Sequence, residues 1–307
     1  MHAAVVVMTD AAGWHGRQLQ RAFAGFDLQT RFVSLSDCWF ELDEKRPWVA
    51  IPGFADAPPA AVFVRSIEAG TFEQVTHRLS LLHALRELGT PVYNDARAIE
   101  RSVDKAMTTF LLRRDGIPTL PTWSTERAHL ARGVLMRETS RGHDVVSKPL
   151  FGSQGKGLRR LGAGADVPPA DEIAGVWYLQ RFRDTGSGVG KWHDWRVLVA
   201  GGMPVAAMLR RGQTWITNVA QGARVEVADP AGRLGDLAVA AARAVGADYA
   251  GVDLMRDESG EFVVVEVNSI PAWQGLQRVA SINIAGALAA DIATRVLRIG
   301  GRSVLRC

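Results

Sequence analysis

The sequence predicts an α/β (α+β) protein, because short apolar strands alternate with helices early in the chain and hairpin-like strand pairs follow later. With 307 residues, 47% of them hydrophobic, the chain can bury a core in each of two or three domains. We expect an N-terminal α/β domain over 1–94, a central domain over 95–180 and a C-terminal domain over 181–300. Residues 301–307 are expected to form a loosely held tail.

The first domain is predicted to contain a mostly parallel sheet covered by helices. Apolar runs indicate strands at 3–8, 31–35 and 60–66, and a short helix at 17–23 follows a Gly-Trp-His-Gly turn. Leucines recur at helical spacing over 72–88, where Gly89 is a typical helix end, and a short strand follows at 91–93.

The rest of the chain is predicted to mix helices with antiparallel strands. A helix spans 94–116, and a strand, a glycine-rich loop and a second strand then form a hairpin-like unit over 142–162. Further strands are expected at 175–183, 194–200, 204–210 and 223–228, followed by a helix at 231–245. A strand pair at 251–257 and 261–267 precedes a final helix at about 282–297.

Composition and charge exclude several classes of protein. Lys plus Arg number 36 against 32 Asp plus Glu, and no dense basic block is present, so nucleic acid is not an expected partner. Two cysteines, Cys38 and Cys307, provide no disulfide framework and fit a reducing compartment. The N-terminus lacks the features of a secretion signal, and no apolar run is long enough to span a bilayer. We therefore expect a cytoplasmic protein without a membrane partner.

The most strand-like segment, GEFVVVEVNS at 260–269, contains two polar side chains on one face. Glu266 and Asn268 are two residues apart, so they point the same way from a strand. A two-residue turn at Ser259-Gly260 would set Asp253 directly opposite Glu266, with Cβ atoms ~5 Å apart. Two carboxylates this close repel one another unless a cation lies between them. Three oxygen ligands on adjacent strands suit Mg²⁺.

The alternative is that Asp253 lies on an edge strand and Glu266 faces solvent, where acidic residues in strands are more commonly found. A register shift of one residue would also turn Asp253 to the opposite face of the sheet. The valines that bracket this pair favour the metal interpretation, and a metal of this kind implies a polyphosphate ligand.

A candidate phosphate-binding loop lies in the segment KPLFGSQGKG at 148–157. Gly152, Gly155 and Gly157 allow backbone N–H groups to turn toward oxyanions, while Lys148 and Lys156 add positive charge. No helix follows this loop, so it is neither a P-loop nor a dinucleotide fingerprint. Taken alone, a glycine-rich hairpin of this kind is equally typical of a flexible turn.

Taken in order, five segments resemble the ATP-grasp superfamily, and specifically its RimK-like amino-acid ligases. These segments are DKAMTTFLLRRDGIPTLPT (104–122), VVSKPLFGSQGKG (145–157), DWRVLVAGGMPVAAMLRR (194–211), TWITNVAQGA (214–223) and GVDLMRDESGEFVVVEVNSIPAWQGLQ (251–277). The resemblance covers nearly all of 94–297. It implies an ATP-grasp fold, in which a Rossmann-like α/β domain precedes two grasping α+β subdomains.

The resemblance also implies a reaction and its cofactors. In such ligases ATP phosphorylates a carboxylate, and an amine attacks the acyl phosphate to give an amide, ADP and phosphate. The implied cofactors are ATP and two Mg²⁺ ions, with Mn²⁺ as an alternative metal. Charge on the transferred phosphoryl group must be neutralised, and the acyl phosphate must be shielded from water.

Site residues follow from the resemblance position by position. Metal ligands would be Asp253, Glu266 and Asn268, whereas the residues near the acyl phosphate would be Arg196, Arg210 and Asn218. The nucleotide would be bound by Lys105, Lys148, Gly152, Ser153, Gln154, Gly155, Gly157, Gln180, Arg181, Phe182 and Asp194.

Two positions depart from the family pattern. The inter-domain segment usually reads Gln-Glu-aromatic, but Arg181 replaces the acid, so only backbone contacts to adenine are expected there. Ile216 stands where some glutamate-adding members have an arginine, and the sequence WITN resembles ligases that act on amino-group carrier proteins or on C1-carrying cofactors.

We expect an ATP-dependent ligase that adds an amino acid, L-glutamate, to a small carboxylated acceptor such as a pterin or furan C1 carrier. One alternative is a ligase that modifies a protein terminus or a carrier protein, and another is an ATP- or polyanion-binding module without turnover. The oligomeric state stays open, with a homo-oligomer among the alternatives.

Two further features have no assigned role in this interpretation. Arg65 follows a strand of the first domain, where α/β sheets bind ligands, and either a substrate carboxylate or an ordinary ion pair would suit it. The segment SIPAWQGLQ at 269–277 is expected to form a wall beside the reacting carboxylate or a packed loop. His15 and His193 are lone histidines, which are more typical of structural or surface positions.

Overall fold

The N-terminal third forms a four-stranded parallel sheet in the order β2-β1-β5-β6. The computed structural model describes residues 3–43, 47–55, 57–152, 154–186 and 192–298. The elements of this part are β1 (Ala4–Met8), α1 (Gly13–Ala24), β2 (Gln29–Val33), β3 (Trp39–Leu42), β4 (Pro47–Ala50), β5 (Ala61–Val64), α2 (Phe72–Glu87) and β6 (Val92–Tyr93). Strands β1 and β5 are buried on both faces, which explains their continuous apolar runs.

The predicted parallel sheet is confirmed, with two differences in detail. Helix α1 begins at Gly13, one turn before the apolar spacing predicted, because the residues of its first turn pack only partly into the core. Strands β3 and β4 form a separate antiparallel hairpin that the sequence analysis did not predict. Trp39 and Leu42 are largely exposed on this hairpin, so its pattern did not indicate a buried strand.

The middle of the chain builds an antiparallel sheet in the order β7-β10-β8-β9. Its elements are α3 (Ala96–Val103), α4 (Lys105–Arg114), β7 (Thr122–Thr125), α5 (Ala128–Thr139), β8 (Val145–Lys148), β9 (Arg159–Leu161) and β10 (Trp177–Arg181). The single helix predicted over 94–116 is wrong. Asp104 has an extended backbone that ends α3, and its carboxylate caps α4 by accepting from the N–H groups of Ala106 and Met107, both at 2.9 Å.

The last part forms a five-stranded antiparallel sheet in the order β13-β12-β11-β14-β15. Its elements are β11 (Trp192–Ala200), β12 (Met203–Gly212), β13 (Arg224–Ala228), α6 (Gly232–Val245), β14 (Tyr249–Arg256), β15 (Phe262–Asn268), α7 (Gln274–Gln277) and α8 (Ile284–Asp291), which continues as a π-helical turn at Ile292–Val296. Helix α6 covers one face of this sheet through small residues such as Ala238 and Ala241, whereas α8 lies on the other face.

The parallel sheet and the last antiparallel sheet share one hydrophobic core. Phe23 on α1 and Leu288 on α8 belong to the same buried cluster. The Asn94 side chain donates to the Tyr249 carbonyl at 2.7 Å and accepts from the Asp248 N–H at 2.6 Å, so it ties the end of the first sheet to the start of β14. The ends of the two sheets are therefore held together, which fixes the residues after β5 beside those after β15.

Across these ranges, no helix is both long enough and apolar enough to cross a membrane. The tail predicted at 301–307 lies outside the part of the chain that the structure describes.

Candidate active site

A cleft lies between the two antiparallel sheets. One wall comes from β8, β10 and the glycine-rich loop, and the opposite wall comes from β11, β12, β14 and β15. The predicted site residues that line it are Lys105, Lys148, Gly152, Gln154, Gly155, Gln180, Arg181, Phe182, Asp194, Arg210, Asn218, Asp253 and Glu266.

Asp253 and Glu266 face each other across β14 and β15, so the predicted pairing is confirmed. Asn268 pairs with Gly251 and shares the face of Glu266, because the two residues are separated by one position. The predicted two-residue turn, however, is wrong: Asp257 pairs with Glu261. The Asp257 carboxylate accepts from the N–H groups of Ser259 and Glu261, which stabilises a three-residue loop.

A β-bulge reconciles the longer loop with the observed pairing. The register shifts between Asp253 and Leu254, so that Leu254 pairs with Val264 and leaves Val265 as the extra residue. Without this bulge, the three-residue loop would pair Asp253 with Val265 and displace the carboxylate pair. The side chain of Val265 contributes to the cleft wall.

Asp253 belongs to a chain of four charges, of which Arg210, Asp194 and Asp253 are buried and Arg196 is partly exposed. Arg196 donates to both oxygens of Asp253 at 2.7 Å, and Arg210 donates to the same carboxylate at 3.0 Å and to Asp194 through both nitrogens of its fork. Burial opposes ionisation of Asp253, but the guanidinium groups of Arg196 and Arg210 hold its pKa below the usual value. The pKa of Arg210 is raised, because the charges of Asp194 and Asp253 outweigh its burial.

The oxygen atoms at the strand ends fit a hard divalent cation. No group of three or more His, Cys, Asp and Glu side chains that could hold a metal occurs in the described ranges, so the set depends on the Asn268 amide. The side chain of Glu266 makes no hydrogen bond within those ranges and is 34% exposed, which leaves its oxygens available. Asp253 already accepts from two arginines, and Asn268 Oδ1 accepts from the Ile270 N–H at 3.0 Å. Asp253 Oδ2 contacts both arginines, whereas Asp253 Oδ1 and Asn268 Oδ1 each accept from one donor and keep a lone pair for metal coordination.

Two lysines approach Glu266 from the opposite wall. Lys148 Nζ donates to Gln180 Oε1 at 2.7 Å, and burial lowers its pKa to about 8 despite the nearby Glu266 charge. Lys105 Nζ lies 3.9 Å from Glu266 Oε1, and burial likewise lowers its pKa. Removing such ammonium groups from water without a bidentate partner is costly, which favours binding of an anion in the cleft.

The glycine-rich loop bridges the two walls. Lys105 donates to the Gly152 carbonyl at 2.8 Å, and Gln221 donates to the Gln154 carbonyl at 3.0 Å. A Cβ atom on Gly155 would lie 2.7 Å from Asn218 Oδ1, so only glycine allows this close approach. Gly157 has a φ of +71° and a hypothetical Cβ 2.8 Å from Pro149, so it permits the turn without lining the cleft. Ser153 lies outside the described residues.

The side chain of Arg181 has a structural role. It donates to Oε2 of Glu138 from Nε at 3.0 Å and from Nη2 at 2.7 Å, and Glu138 is 1% exposed. The backbone N–H of Arg181 donates to the Pro121 carbonyl, and that of Phe182 donates to the Asp144 carbonyl. These two N–H groups are therefore already used and do not bind adenine. Backbone contacts to adenine at this segment would come from its carbonyl groups or from N–H groups after Phe182.

Residues 103–292 match the model of the RimK-like ATP-grasp domain. The chain belongs to the RimK-like ATP-grasp family. It is 34% identical to a tetrahydromethanopterin:alpha-L-glutamate ligase of Methanococcus maripaludis over 229 residues, which cover 73% of this chain and 75% of the relative. It is also 29% identical to a probable alpha-L-glutamate ligase of Halorhodospira halophila over 276 residues, 88% of each chain. The predicted family is confirmed, and the protein is an ATP-dependent amino-acid ligase.

Solved structures confirm the predicted fold class. The ATP-grasp ligase PsnB in complex with a minimal precursor has a TM-score of 0.73 at 23% identity, covering 96% of this chain and 99% of PsnB. A RimK domain ATP-grasp protein from Sphaerobacter thermophilus has a TM-score of 0.64 at 20% identity, covering 94% of this chain and 98% of that chain. At these identities, the likeness concerns the fold alone.

Within this RimK-like fold, some predicted residues lie behind the cleft rather than in it. Arg196 packs behind Asp253, and Asn268 lies beyond Glu266 at the end of β15. The sequence did not predict the apolar wall of the cleft or the neighbouring Thr185. These residues include Leu120, Val146, Met255, Val265, Trp215 and Thr185. Their apolar or small side chains carry no chemical signal in a sequence, although Trp215 lies inside the WITN segment.

Proposed function

We propose that this RimK-like ligase joins the amino group of L-glutamate to a carboxylate of a small pterin-type acceptor and releases ADP and phosphate. One structural observation supports the reaction class: two carboxylates face each other in a cleft whose opposite wall carries two partly buried lysines. The choice of glutamate and of a pterin is supported by the name of the tetrahydromethanopterin:alpha-L-glutamate ligase to which the chain is 34% identical.

ATP-grasp ligases use ATP and Mg²⁺. In this chain Asp253, Glu266 and Asn268 would hold the metal, with two Mg²⁺ ions as the proposed number and Mn²⁺ as an alternative. When bound, the metal neutralises phosphate charge and favours in-line transfer of the γ-phosphoryl group. Lys105 and Lys148 would bind the phosphates, because their ammonium groups lie at the same end of the cleft as Glu266.

Arg210 and Asn218 are placed to act on the reacting carboxylate. Arg210 lines the cleft and is fixed by two buried acids, so its charge is oriented before substrate binds. Arg196 would act through its contact with Asp253. Asn218 lies against the glycine-rich loop at Gly155, so loop closure over the nucleotide and contact with the acyl phosphate would involve the same residues. A closed loop also keeps water from the acyl phosphate.

Several other expectations belong to the same proposal. We retain the division into domains at 1–94, 95–180 and 181–300, because the parallel sheet lies in the first range, the four-stranded antiparallel sheet lies in the second except for Arg181, and the five-stranded sheet lies in the third. We also retain small-molecule rather than macromolecular partners, a cytoplasmic location and an open choice between a monomer and a homo-oligomer.

The proposal can be tested by incubating the enzyme with Mg·ATP, isotopically labelled L-glutamate and a reduced pterin that carries a free carboxylate. We expect ADP release together with a pterin product whose mass increases by one labelled glutamyl residue. A parallel incubation with a cell extract shows whether the label enters a different acceptor. Label found in a peptide or carrier protein, with none in the pterin, would contradict the proposed acceptor.

A further inference from the structure

Among the described residues, an arginine at the carboxyl edge of the parallel sheet has no acidic partner. Arg65 directly follows β5, and Nη1 makes one long hydrogen bond to the Ile270 carbonyl at 3.5 Å. No carboxylate in the described ranges pairs with its guanidinium group, and burial lowers its pKa. In contrast, Arg196 and Arg210 are both held by carboxylates. Arg65 is partly exposed, so a charged ligand can reach it.

Trp273 supports the guanidinium group from one side. The Arg65 guanidinium carbon lies 5.2 Å from the centre of the indole ring, and the indole is 1% exposed. A cation over an aromatic face gains only part of the energy that a carboxylate would provide. The indole Nε1 is itself buried without a hydrogen-bond acceptor in the described residues. The surroundings of Arg65 therefore contain donors in excess of acceptors.

His15 offers a further donor beside Arg65. Its Nε2 accepts from the Trp273 backbone N–H at 3.1 Å, which places the proton of the neutral ring on Nδ1. Burial, and then the charge of Arg65, lower the pKa of His15 to about 4, so the ring is neutral at physiological pH. His15 lies in the first turn of α1, whose N-cap residue Ala12 provides no side-chain cap, so the helix dipole also favours an anion here.

These donors adjoin the reaction centre without belonging to the nucleotide cleft. Arg65 does not line that cleft. Ile270, which accepts from Arg65, donates its own N–H to Asn268 at the end of the carboxylate-bearing strand. Farther along the same loop, Gly275 lies against Val219, the residue after Asn218. The loop at 269–277 therefore contacts Arg65 through Ile270, the carboxylate-bearing strand through Asn268, and the segment after Asn218 through Val219.

We propose that Arg65 and His15 bind a carboxylate of the incoming amino acid, one that takes no part in bond formation. This inference rests on the proposed function, in which the amino acid reacts through its amine and keeps its carboxylates unmodified. A guanidinium fork donates two parallel hydrogen bonds to a carboxylate, and His15 Nδ1–H adds a third. Because the lysines of the cleft are left for phosphates, Arg65 allows the two anions to be bound at separate places.

The variant Arg65→Met tests this assignment through two alternative nucleophiles. Hydroxylamine reacts with acyl phosphates but has no carboxylate, so it does not need Arg65 for recognition. We expect kcat/KM for L-glutamate to fall about 100-fold relative to kcat/KM for hydroxylamine, as is typical when a desolvated charge pair loses one partner. Arg17→Met is the matched control, because Arg17 is exposed on α1 and its loss should change neither value. Equal losses with both nucleophiles would overturn the assignment.

Amide analogues identify the carboxylate that is bound. Glutamine lacks the γ-carboxylate and isoglutamine lacks the α-carboxylate. The wild-type enzyme should discriminate against one of them, and Arg65→Met should remove that discrimination because both partners of the pair are then absent. Undiminished discrimination in the variant would refute the contact. His15→Gln should weaken glutamate use in the same direction but less, since it removes one neutral donor.

A binding measurement separates this inference from the proposed function. Calorimetry with L-glutamate in the presence of Mg·ADP requires no turnover. If glutamate binding depends on Arg65 but no pterin is modified, the proposed acceptor fails and the inference stands. If the pterin is glutamylated but binding is indifferent to Arg65, the inference fails alone. Should Arg65→Met not fold, Arg65→Lys keeps the charge but loses the fork, and it should bind glutamate more weakly than wild type.

Discussion

The variant Arg210→Met removes the central cation from the chain of charges behind the active site. Arg210 is 2% exposed and binds Asp194 and Asp253, which are 7% and 4% exposed. Arg196 binds the other side of Asp253. The four charges sum to zero in the wild type, whereas the variant leaves two buried carboxylates with a single arginine.

We expect this change to lower the free energy of unfolding by about 3–5 kcal/mol near neutral pH, the usual cost of a buried charge that has lost its partner. In the wild type, Asp253 is stabilised in its charged form, because its two arginines lower the pKa against the effect of burial. In the variant that pKa should rise. A proton bound at lower pH then relieves the repulsion, so the loss relative to wild type should shrink from about pH 8 to about pH 5.

Urea unfolding at both pH values measures this loss, and the double variant Arg210→Met/Asp194→Asn is its matched control. The double variant restores the charge balance, so it should recover most of the stability but none of the activity, because Arg210 also faces the cleft. A single variant within about 1 kcal/mol of wild type at pH 8 would refute the network. So would a double variant that is as unstable as the single one.

Three further predictions concern the metal, the loop and Lys148. Glu266→Gln should lower turnover by about 1,000-fold or more and weaken Mg·ADP binding in calorimetry, because it removes a charge that faces the metal. The free energy of unfolding of this variant should stay within about 1 kcal/mol of wild type. Wild-type turnover would contradict the metal assignment. Gly155→Ala should raise KM for ATP about 10-fold, because the added Cβ would lie 2.7 Å from Asn218 Oδ1. Gly164→Ala is the matched control: Gly164 has a φ of +82°, close to the +70° of Gly155, but open space around it, so KM should stay unchanged. Burial lowers the pKa of Lys148 to about 8, so Lys148 loses its charge above pH 8 and Mg·ADP binding should weaken by up to about 10-fold per pH unit. The free energy of unfolding of the free protein should rise between pH 8 and 10.5, because the unfolded state binds more protons than the folded state in that range. Both dependences should be absent in Lys148→Met, and their persistence would assign them to another group.

The positions of the paired carboxylates could be predicted from the sequence, but the backbone geometry that pairs them could not. Alternation along β15 correctly placed Glu266 and Asn268 on one face, and Asp253 opposite Glu266. The predicted turn is one residue shorter than the observed loop, and the bulge at Val265 shifts the register by one residue and restores the predicted pairing. A bulge is set by packing between strands and gives no periodic signal, so counting residues from the turn could not have revealed it.

The sequence predicts one helix over 94–116, closed by Gly116 and Pro118, whereas the structure has two helices that meet at Asp104. The break occurs because an aspartate that caps a new helix must leave helical geometry itself. Asp104 followed by Lys105 was visible in the sequence, and a capping interpretation of that aspartate would have divided the helix correctly.

By itself, the sequence determined the fold class, the family and the oxygen- and nitrogen-bearing side chains of the candidate site, since these depend on local spacing and on motif order. The tertiary structure decided which charges meet: Arg196 and Asp253 are 57 residues apart, and Arg65 and Ile270 are 205 residues apart. It also decided that Arg181 binds Glu138 and that Arg65 contacts a carbonyl rather than any acid among the described residues. The physical reason is that charges between the sheets interact strongly only after folding removes the water around them. No local sequence pattern specifies which residue from a distant part of the chain will lie beside a given charge.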